Sequence, residues 1–291
     1  MARFTAHKLA LCFIMPQVLI TLVLFIWPVF LVLSQSFSFG DAFGLQKRFA
    51  WFANYVGLFA DHSYIEAIGV TLILAVFVTI LTMGFGLLLA LLVLARSKGQ
   101  GFYKTLLVWP YAVAPAIAAI LWRFLCHPTL GWLPHFLLKF GIDFNYVTNA
   151  RQALFVVIVT ASWQQFSYNF LFYYSALQKI PTTLIDAAII DGASAWGRFW
   201  QIVVPILSPT TFFLLIMNLI YAFFDTFGII HIMTHGGPEH STTTLIYKVY
   251  VDGFIGMDIG SSAAQSVLLM FLVVLVTLLQ FRYLEQRVHY A

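Results

Sequence analysis

The chain has 291 residues, of which 62% are hydrophobic and 9% charged, and its formal net charge is +4. Soluble domains average roughly 45–50% apolar and about 25% charged residues, so this composition excludes an ordinary soluble protein. A soluble core would leave many of the apolar side chains facing water, and we predict that lipid surrounds most of the chain. In such a protein a small positive charge does not indicate nucleic-acid binding.

Six stretches are apolar for the roughly 20 residues that a helix needs to cross the hydrocarbon core. The first has basic residues before it, like a signal peptide, but it is too long and lacks a small-residue cleavage site, so we predict a retained helix. The sequence predicts an all-α membrane protein with one transmembrane domain over residues 1–291. Its six transmembrane helices are predicted at about residues 9–33, 68–95, 106–125, 154–176, 205–233 and 266–283.

The distribution of lysine and arginine predicts the orientation of these spans. Cytoplasmic loops are enriched in both residues. Placing both termini and the second and fourth loops in the cytoplasm collects Arg3, Lys8, Arg96, Lys98, Lys104, Lys179, Arg198, Arg282 and Arg287 there. We therefore expect a multi-pass protein of the bacterial inner membrane whose N- and C-termini are both cytoplasmic.

The cysteine and histidine patterns predict no disulfide framework and no metal site. Cys12 and Cys126 lie in or at the edge of apolar runs and are expected to be packing residues. His231 and His235 are four residues apart, but the Glu of a helical zinc site is missing between them.

The cytoplasmic loop over residues 178–204 carries helical signals. Pro181 fits the first turn of a helix, and Gly192 fits the left-handed residue that follows a helix end, so a short helix is predicted between them. A second, amphipathic helix on the cytoplasmic surface is predicted next, because apolar residues recur at spacings of three and four: Trp196, Phe199, Trp200 and Val203.

Ten residues in this loop and just after it form a motif at fixed spacing: Asp186, Ala187, Ala188, Asp191, Gly192, Ala193, Phe199, Ile202, Pro205 and Pro209. The motif resembles the Glu-Ala-Ala loop of the inner-membrane permease subunits of ABC importers. Asp186 stands where that family usually has Glu, and it keeps the charge on a shorter side chain. In the family this loop is a coupling helix that sits in a groove of a cytoplasmic ATPase subunit, and the resemblance implies the same role here.

Other segments extend the resemblance along most of the chain: residues 102–104, 110–116, 168–172, 221–227, 236–238 and 242–248. They are similar to the sn-glycerol-3-phosphate permeases of this family, which implies transport of that ester and of glycerophosphodiesters. A sugar such as maltose or trehalose is the alternative substrate. The implied fold is the type I ABC importer permease fold, with the whole chain as one permease domain.

The resemblance also implies partners for this chain. They are a second homologous permease, a homodimer of ATPase subunits and a periplasmic substrate-binding protein. The sequence contains no G-x-x-x-x-G-K-[ST] phosphate loop, so we expect ATP and Mg²⁺ to bind to the ATPase, with no cofactor and no catalytic residue in this chain.

Polar residues within the spans are candidates for a translocation pathway, because such groups are costly in lipid unless they face protein or water. Helical spacing predicts one polar face on each of three spans: Ser162, Gln165 and Asn169 on the fourth, Asn218, Tyr221 and Asp225 on the fifth, and Gln265 with Ser262 and Ser266 on the sixth. The alternative is that they form hydrogen bonds between helices.

Phosphate recognition favours basic side chains or helix N-termini. Arg123 and Lys248 lie near the predicted outer mouth and are the candidates, although either could simply anchor at lipid headgroups. A lone carboxylate repels phosphate, so we expect Asp225 to be paired with a donor in this chain or in the partner permease.

Two other classes of function are weighed against an importer subunit. A secondary transporter is expected to show inverted repeats with paired broken helices, and no such pairing is visible in the sequence. A membrane-embedded enzyme needs a constellation such as paired carboxylates or an activated serine, whereas the spans offer one acid, Asp225. We therefore predict a transport subunit that is not an enzyme.

Overall fold

The computed structural model describes residues 13–40, 47–95 and 99–284. Cys12 and the predicted cytoplasmic residues Arg3, Lys8, Arg96, Lys98 and Arg287 lie outside these ranges. The described chain is almost entirely helical. Its helices are α1 (Phe13–Ser36), α2 (Ala53–Ala60), α3 (His62–Leu94), α4 (Gln100–Ala112), α5 (Pro115–Leu125), α6 (Trp132–Leu138), α7 (Ala150–Leu177), α8 (Thr182–Ile190), α9 (Ala195–Asp225), α10 (Phe227–Met233), α11 (Leu245–Tyr250) and α12 (Ile259–Leu284).

A short antiparallel hairpin follows α1 and was not predicted. It pairs β1 (Ser38–Gly40) with β2 (Lys47–Phe49), and Phe39 lies opposite Arg48. Two of the helices contain π-helical turns, at Leu22–Ile26 in α1 and at Phe199–Val203 and Tyr221–Asp225 in α9, and another such turn, Val251–Ile255, extends α11.

The chain folds into two compact units. One comprises residues 1–62 and 248–271, which include α1, the hairpin and α2. The other comprises residues 63–247 and 272–291, which include helices α4 to α10. That the chain acts as a single permease domain remains a prediction.

Within the described part of the chain, four helices are long and apolar enough to cross a membrane: α1, α3, α9 and α12. The pair α4 and α5 counts as a fifth if its two halves form one span. α7 covers the predicted fourth span and is 28 residues long, but it carries several buried polar side chains that lower its hydropathy. The predicted all-α membrane fold is therefore confirmed, while the count of six spans remains a prediction.

The structure breaks the predicted third span, residues 106–125, where α4 and α5 meet at an angle of 98°. The residue before a proline is disfavoured in the helical region, and Ala114 accordingly has φ −59° and ψ 143°. Pro115 lacks an N–H and fits the first turn of α5. The Val113 carbonyl accepts a hydrogen bond of 2.8 Å from Gln164 Nε2, so a side chain of α7 satisfies the polar group that the break releases.

The core of the larger unit forms where α3, α7 and α9 pack together. Its buried side chains include Ala90 on α3, Phe170 and Tyr173 on α7, and Leu207 on α9. Apolar side chains gain little free energy when they move from contact with lipid into a helix interface. Close packing at small residues is therefore a main source of helix association in membranes. Gly86 provides such a contact, because a Cβ atom there would lie 2.6 Å from Asn169 Cβ and 3.0 Å from backbone atoms of α7.

We expect Gly86→Ala to lower the stability of the protein by about 1–3 kcal/mol, since overpacking forces the two backbones apart. Thermal unfolding of the purified protein in detergent measures the effect. Gly84→Ala is the matched control on the same helix, because a Cβ atom there would meet nothing within 4 Å. Equal melting temperatures for both variants would contradict the packing role of Gly86.

Candidate functional site

A cavity of about 440 Å³ lies between the α4–α5 break, α7 and α9. Its volume falls in the range of roughly 300–1,000 Å³ that small-molecule sites occupy. Three of the predicted pathway residues line it together, namely Gln165, Tyr221 and Asp225. The other lining residues are Tyr111, Ala112, Val113, Ala114, Pro115, Gln164, Tyr168, Met217 and Ile220.

Two of the cavity's polar side chains are fixed by hydrogen bonds. The Tyr221 hydroxyl lies 3.1 Å from Gln164 Oε1 and 3.2 Å from the Ala161 carbonyl. Gln164 in turn donates to the Val113 carbonyl at the helix break. This chain of contacts links α9 to the α4–α5 break through α7.

Two further polar side chains of the cavity, those of Gln165 and Asp225, remain available. Among the residues that the structure describes, neither the Gln165 carboxamide nor the Asp225 carboxylate has a hydrogen-bond or ion-pair partner. The partner expected for Asp225 is therefore not found among these residues. Gln165 is 6% exposed, whereas Asp225 is exposed at the surface of the isolated chain.

Asn169 and Asn218 are paired with each other and do not line this cavity. Their amide groups exchange two hydrogen bonds, of 2.9 Å and 2.7 Å, and both residues are fully buried. This geometry is the interhelical hydrogen bonding that we gave as the alternative. Ser162 lines a separate apolar groove beside Trp122 and Trp163. For these three residues a pathway role stays a prediction that the geometry does not support.

Arg123 connects two helix ends. Its guanidinium Nη1 donates a hydrogen bond of 2.9 Å to the Ile232 carbonyl, which joins the end of α5 to α10. In the adjacent loop, burial raises the pKa of Tyr146, and a hydrogen bond and the charge of Arg123 partly offset this effect. Arg123 does not line the 440 Å³ cavity, so its contact with phosphate stays a prediction.

Lys248 lies in a cluster of charged groups on the smaller unit. Its Nζ is 3.0 Å from Asp61 Oδ2 and 3.1 Å from Asp252 Oδ2. Gln265, another pathway candidate, donates to the same Asp252 oxygen at 2.5 Å. Burial lowers the pKa of Lys248, but the hydrogen bonds and charges of Asp252 and Asp61 outweigh it, and the pKa is raised. The Lys248 charge is thus already matched, and a phosphate contact there stays a prediction without geometric support.

Asp61 and Asp252 were missed by the sequence analysis. The spacing of Lys248 and Asp252, four residues apart on a helix, was a usable signal. Asp61 gave none, because it is far from Lys248 in the sequence and is brought to it only by the fold.

We expect Lys248→Met to destabilise the protein by about 2 kcal/mol, because it leaves two carboxylates together without a cation. The effect is smaller than for a fully buried pair, since the Asp61 side chain is 40% exposed. Chemical denaturation in detergent measures it. Lys139→Met, at an exposed lysine, is the control and is expected to stay within about 0.5 kcal/mol of the wild type. Equal loss in both variants would contradict a structural role for the cluster.

The loop that is predicted to be cytoplasmic forms the expected short helix, and the chain turns after it at Gly192, a turn that we call the glycine corner. α8 ends at Ile190, and Gly192 has φ +78°, a conformation that L side chains rarely adopt. The Ala193 amide donates to the Ala188 carbonyl at 2.9 Å and closes the corner. Arg198 Nη1 donates to the Ala193 carbonyl at 2.5 Å from the other side.

The second helix of this loop differs from the prediction. We expected a separate amphipathic helix on the cytoplasmic surface before Pro205 and Pro209. The structure instead continues from Ala195 to Asp225 as one helix of 31 residues. Pro205 lies in the first turn of its regular α-helical stretch, and Pro209 lies within it after a π-helical turn. The loop therefore leads directly into the helix that lines the cavity.

The corner exposes apolar side chains, which the sequence analysis did not single out. Ile190 is 86% exposed, Ile189 51% and Leu184 47%. A cavity of about 810 Å³, lined by α7, α8 and α9 with Lys179, lies beside them. A contiguous exposed apolar surface is typical of a protein interaction site.

A broken helix beside a polar cavity is typical of membrane transport proteins, and an exposed apolar corner is typical of a subunit that contacts another protein. Comparison with known proteins identifies the particular family. Residues 53–290 match the family described as "Binding-protein-dependent transport system inner membrane component", and the chain belongs to this family.

Its curated relatives include two permeases described as "sn-glycerol-3-phosphate transport system permease protein UgpA". The protein from Brucella abortus biovar 1 (strain 9-941) is 50% identical over 276 residues, which cover 95% of this chain and 94% of that protein. The protein from Escherichia coli O157:H7 is 49% identical over 287 residues, covering 99% and 97%.

Solved structures show the same fold. A bacterial ABC transporter that imports the acidic polysaccharide alginate matches with a TM-score of 0.84 and 22% identity over 97% of this chain and 96% of that chain. A second alginate transporter structure, in complex with an alginate pentasaccharide-bound periplasmic protein, gives a TM-score of 0.82 at 22% identity over 96% and 94%. The fold is that of a type I ABC importer permease.

Proposed function

We propose that this chain is the transmembrane permease subunit of an ATP-driven importer for sn-glycerol-3-phosphate and glycerophosphodiesters. The identity of 50% over 95% of the chain with a permease described for sn-glycerol-3-phosphate carries the proposal. A sugar such as maltose or trehalose remains the alternative substrate.

The complex that we propose has four further parts: a second homologous permease, two ATPase subunits and a periplasmic substrate-binding protein. Membership of a binding-protein-dependent family supports the last of these. The sequence has no phosphate loop for ATP, which supports separate ATPase subunits and a chain that is not itself an enzyme. We place both termini on the cytoplasmic side of the inner membrane, on the strength of the distribution of basic residues.

The pathway that we propose passes through the 440 Å³ cavity. Gln165, Tyr221 and Asp225 are the candidate contacts, because they line it together. The exposed Asp225 carboxylate has no hydrogen-bond or ion-pair partner among the described residues, and a basic or donor group of the second permease is its proposed counterpart.

The glycine corner is our candidate for the coupling site, formed by the ten-residue motif from Asp186 to Pro209. The exposed apolar residues Ile189 and Ile190 add a surface that fits an ATPase groove. Small residues such as Ala187 permit close approach, and the exposed carboxylates of Asp186 and Asp191 can accept charge-assisted hydrogen bonds. Movement of the ATPase pair would then act on α9 as a rigid-body push.

We expect Gly192→Val to abolish transport and to lower substrate-stimulated ATP hydrolysis, because a β-branched residue is strained at φ +78°. Asp191→Lys is expected to do the same by reversing the charge at the corner. Both activities are measured in proteoliposomes that contain the complete complex.

Gly141→Val is the matched control for this experiment. Gly141 also has a left-handed conformation, with φ +76°, but it lies in the loop after α6. The control introduces a similar backbone strain at a different place in the chain, so only an effect of the location distinguishes the two variants. Normal uptake by Gly192→Val, or an equal loss in Gly141→Val, would remove the coupling role of the corner.

Transport by the reconstituted complex tests the substrate. We expect the wild-type complex, with its binding protein, to take up radiolabelled sn-glycerol-3-phosphate in an ATP-dependent manner and to leave maltose and trehalose outside. The physical basis is the identity with the sn-glycerol-3-phosphate permeases over nearly the full chain. ATP-dependent uptake of a sugar without uptake of the ester would establish the alternative.

A further inference from the structure

The break before α5 presents a helix N-terminus to the cavity. α5 is 11 residues long, and its first residue, Pro115, lines the 440 Å³ cavity together with the preceding residue, Ala114. Among the described residues, the backbone amides of Ala114 and Ala116 have no hydrogen-bond acceptor. Unpaired N–H groups and the helix dipole make the end of a helix favourable for an anion.

Gln165 provides a second and independent observation at the same cavity. It is 94% buried, since 6% is exposed, and its carboxamide has no partner among the described residues. Its neighbour Gln164 is fully engaged with Val113 and Tyr221. The carboxamide atoms of Gln165 are open to the cavity, so they can bind a polar group of a ligand that enters it.

The charged groups and hydrogen-bond donors that line the cavity determine which part of a ligand can bind at each side of it. None of its lining residues is Lys or Arg. The donors on its broken-helix side are the Ala114 amide and the Gln165 carboxamide, while the side formed by the end of α9 carries the Asp225 carboxylate. A carboxylate only accepts hydrogen bonds, so it suits hydroxyl groups and repels phosphate.

We propose that the N-terminus of α5 and the Gln165 carboxamide bind the phosphate of the transported ester, while Asp225 accepts hydrogen bonds from its glycerol hydroxyls. This inference rests on the proposed function, because it assigns an orientation to that substrate. It moves phosphate recognition away from Arg123 and Lys248, both of which bond to other groups of the chain.

Recognition by neutral dipoles fits a transport site. A pathway must bind its substrate well enough for entry and weakly enough for release. An amide and a helix end attract a phosphate without the deep electrostatic trap that a buried lysine or arginine forms with it. The arrangement therefore offers hydrogen-bond donors to a phosphate at one end of the cavity while it leaves the substrate free to move on.

The test compares two esters of different charge in the same vesicles. Proteoliposomes contain the complete complex with its binding protein, and the probes are sn-glycerol-3-phosphate, a near-dianion at pH 7.5, and the singly charged diester glycerophosphoglycerol. Each variant's uptake rate is divided by the wild-type rate for the same ester. The binding protein is identical in all vesicles, so its own preference cancels from these ratios.

We expect Gln165→Glu to reduce uptake of sn-glycerol-3-phosphate by about tenfold more than uptake of the diester, because the new carboxylate repels the more highly charged group more strongly. Gln165→Met, which removes the amide without adding charge, is expected to reduce uptake of both esters by about tenfold. Asp225→Asn is expected to reduce uptake of both esters equally.

Gln178→Glu is the control, since Gln178 is an exposed residue just after the same helix and outside this cavity. It is expected to leave the selectivity at the wild-type value. Purification of each variant in complex with its partners, together with its basal ATP hydrolysis, shows that it has folded.

Equal effects of Gln165→Glu on the two esters would overturn the phosphate assignment. A rise in uptake of sn-glycerol-3-phosphate in Asp225→Asn would overturn it as well, because it would place the phosphate at the carboxylate. In both cases the wild-type complex still imports the ester and the proposed function stands. Failure of the wild-type complex to import either ester would overturn the proposed function, and the inference with it.

Discussion

The hydrogen bond from Gln164 to the Val113 carbonyl is the contact on which the site depends. Within a bilayer each backbone polar group must be satisfied by protein, and a break before Pro115 releases one. Gln164 of α7 satisfies it and also contacts Tyr221 of α9. This contact lets the chain turn through 98° inside an apolar bundle. The turn leaves room for the cavity and directs the start of α5 toward it.

The polar residues of α7 show how the same chemistry serves packing at one position and a ligand site at another. Asn169 is closed against Asn218 across the helix interface, and Gln164 is committed to the break. Gln165, next along the helix, faces the cavity with its amide unused. Residue type and helical spacing predicted Gln165, Asn169 and Asn218 equally as pathway candidates and did not select Gln164. Only the location of the facing groups separates them.

Local signals in the sequence predicted local structure well. Pro181 and Gly192 predicted the bounds of α8 and its corner, because helix ends depend on the residues at the ends themselves. Long-range contacts had no such signal. Lys248 and Asp61 form an ion pair although they are distant in the sequence. The exposure of Ile190 depends on how the rest of the chain packs, which the residues around Ile190 do not reveal. The 98° bend had a local signal in Pro115, but its size depends on the support that Gln164 supplies from another helix.

The continuity of α9 gives a physical route from the corner to the cavity. A helix of 31 residues that rises 1.5 Å per residue is about 45 Å long. It begins three residues after Gly192 and ends at Asp225, so it links the proposed ATPase contact directly to one wall of the proposed substrate site. The opposite wall belongs to α5 and α7, which are not part of this helix. A push that moves α9 as a unit therefore shifts Tyr221 and Asp225 relative to Gln165. In the orientation that we propose, different elements hold the hydroxyl end and the phosphate end of the ester, so such a shift pulls their contacts apart and favours release.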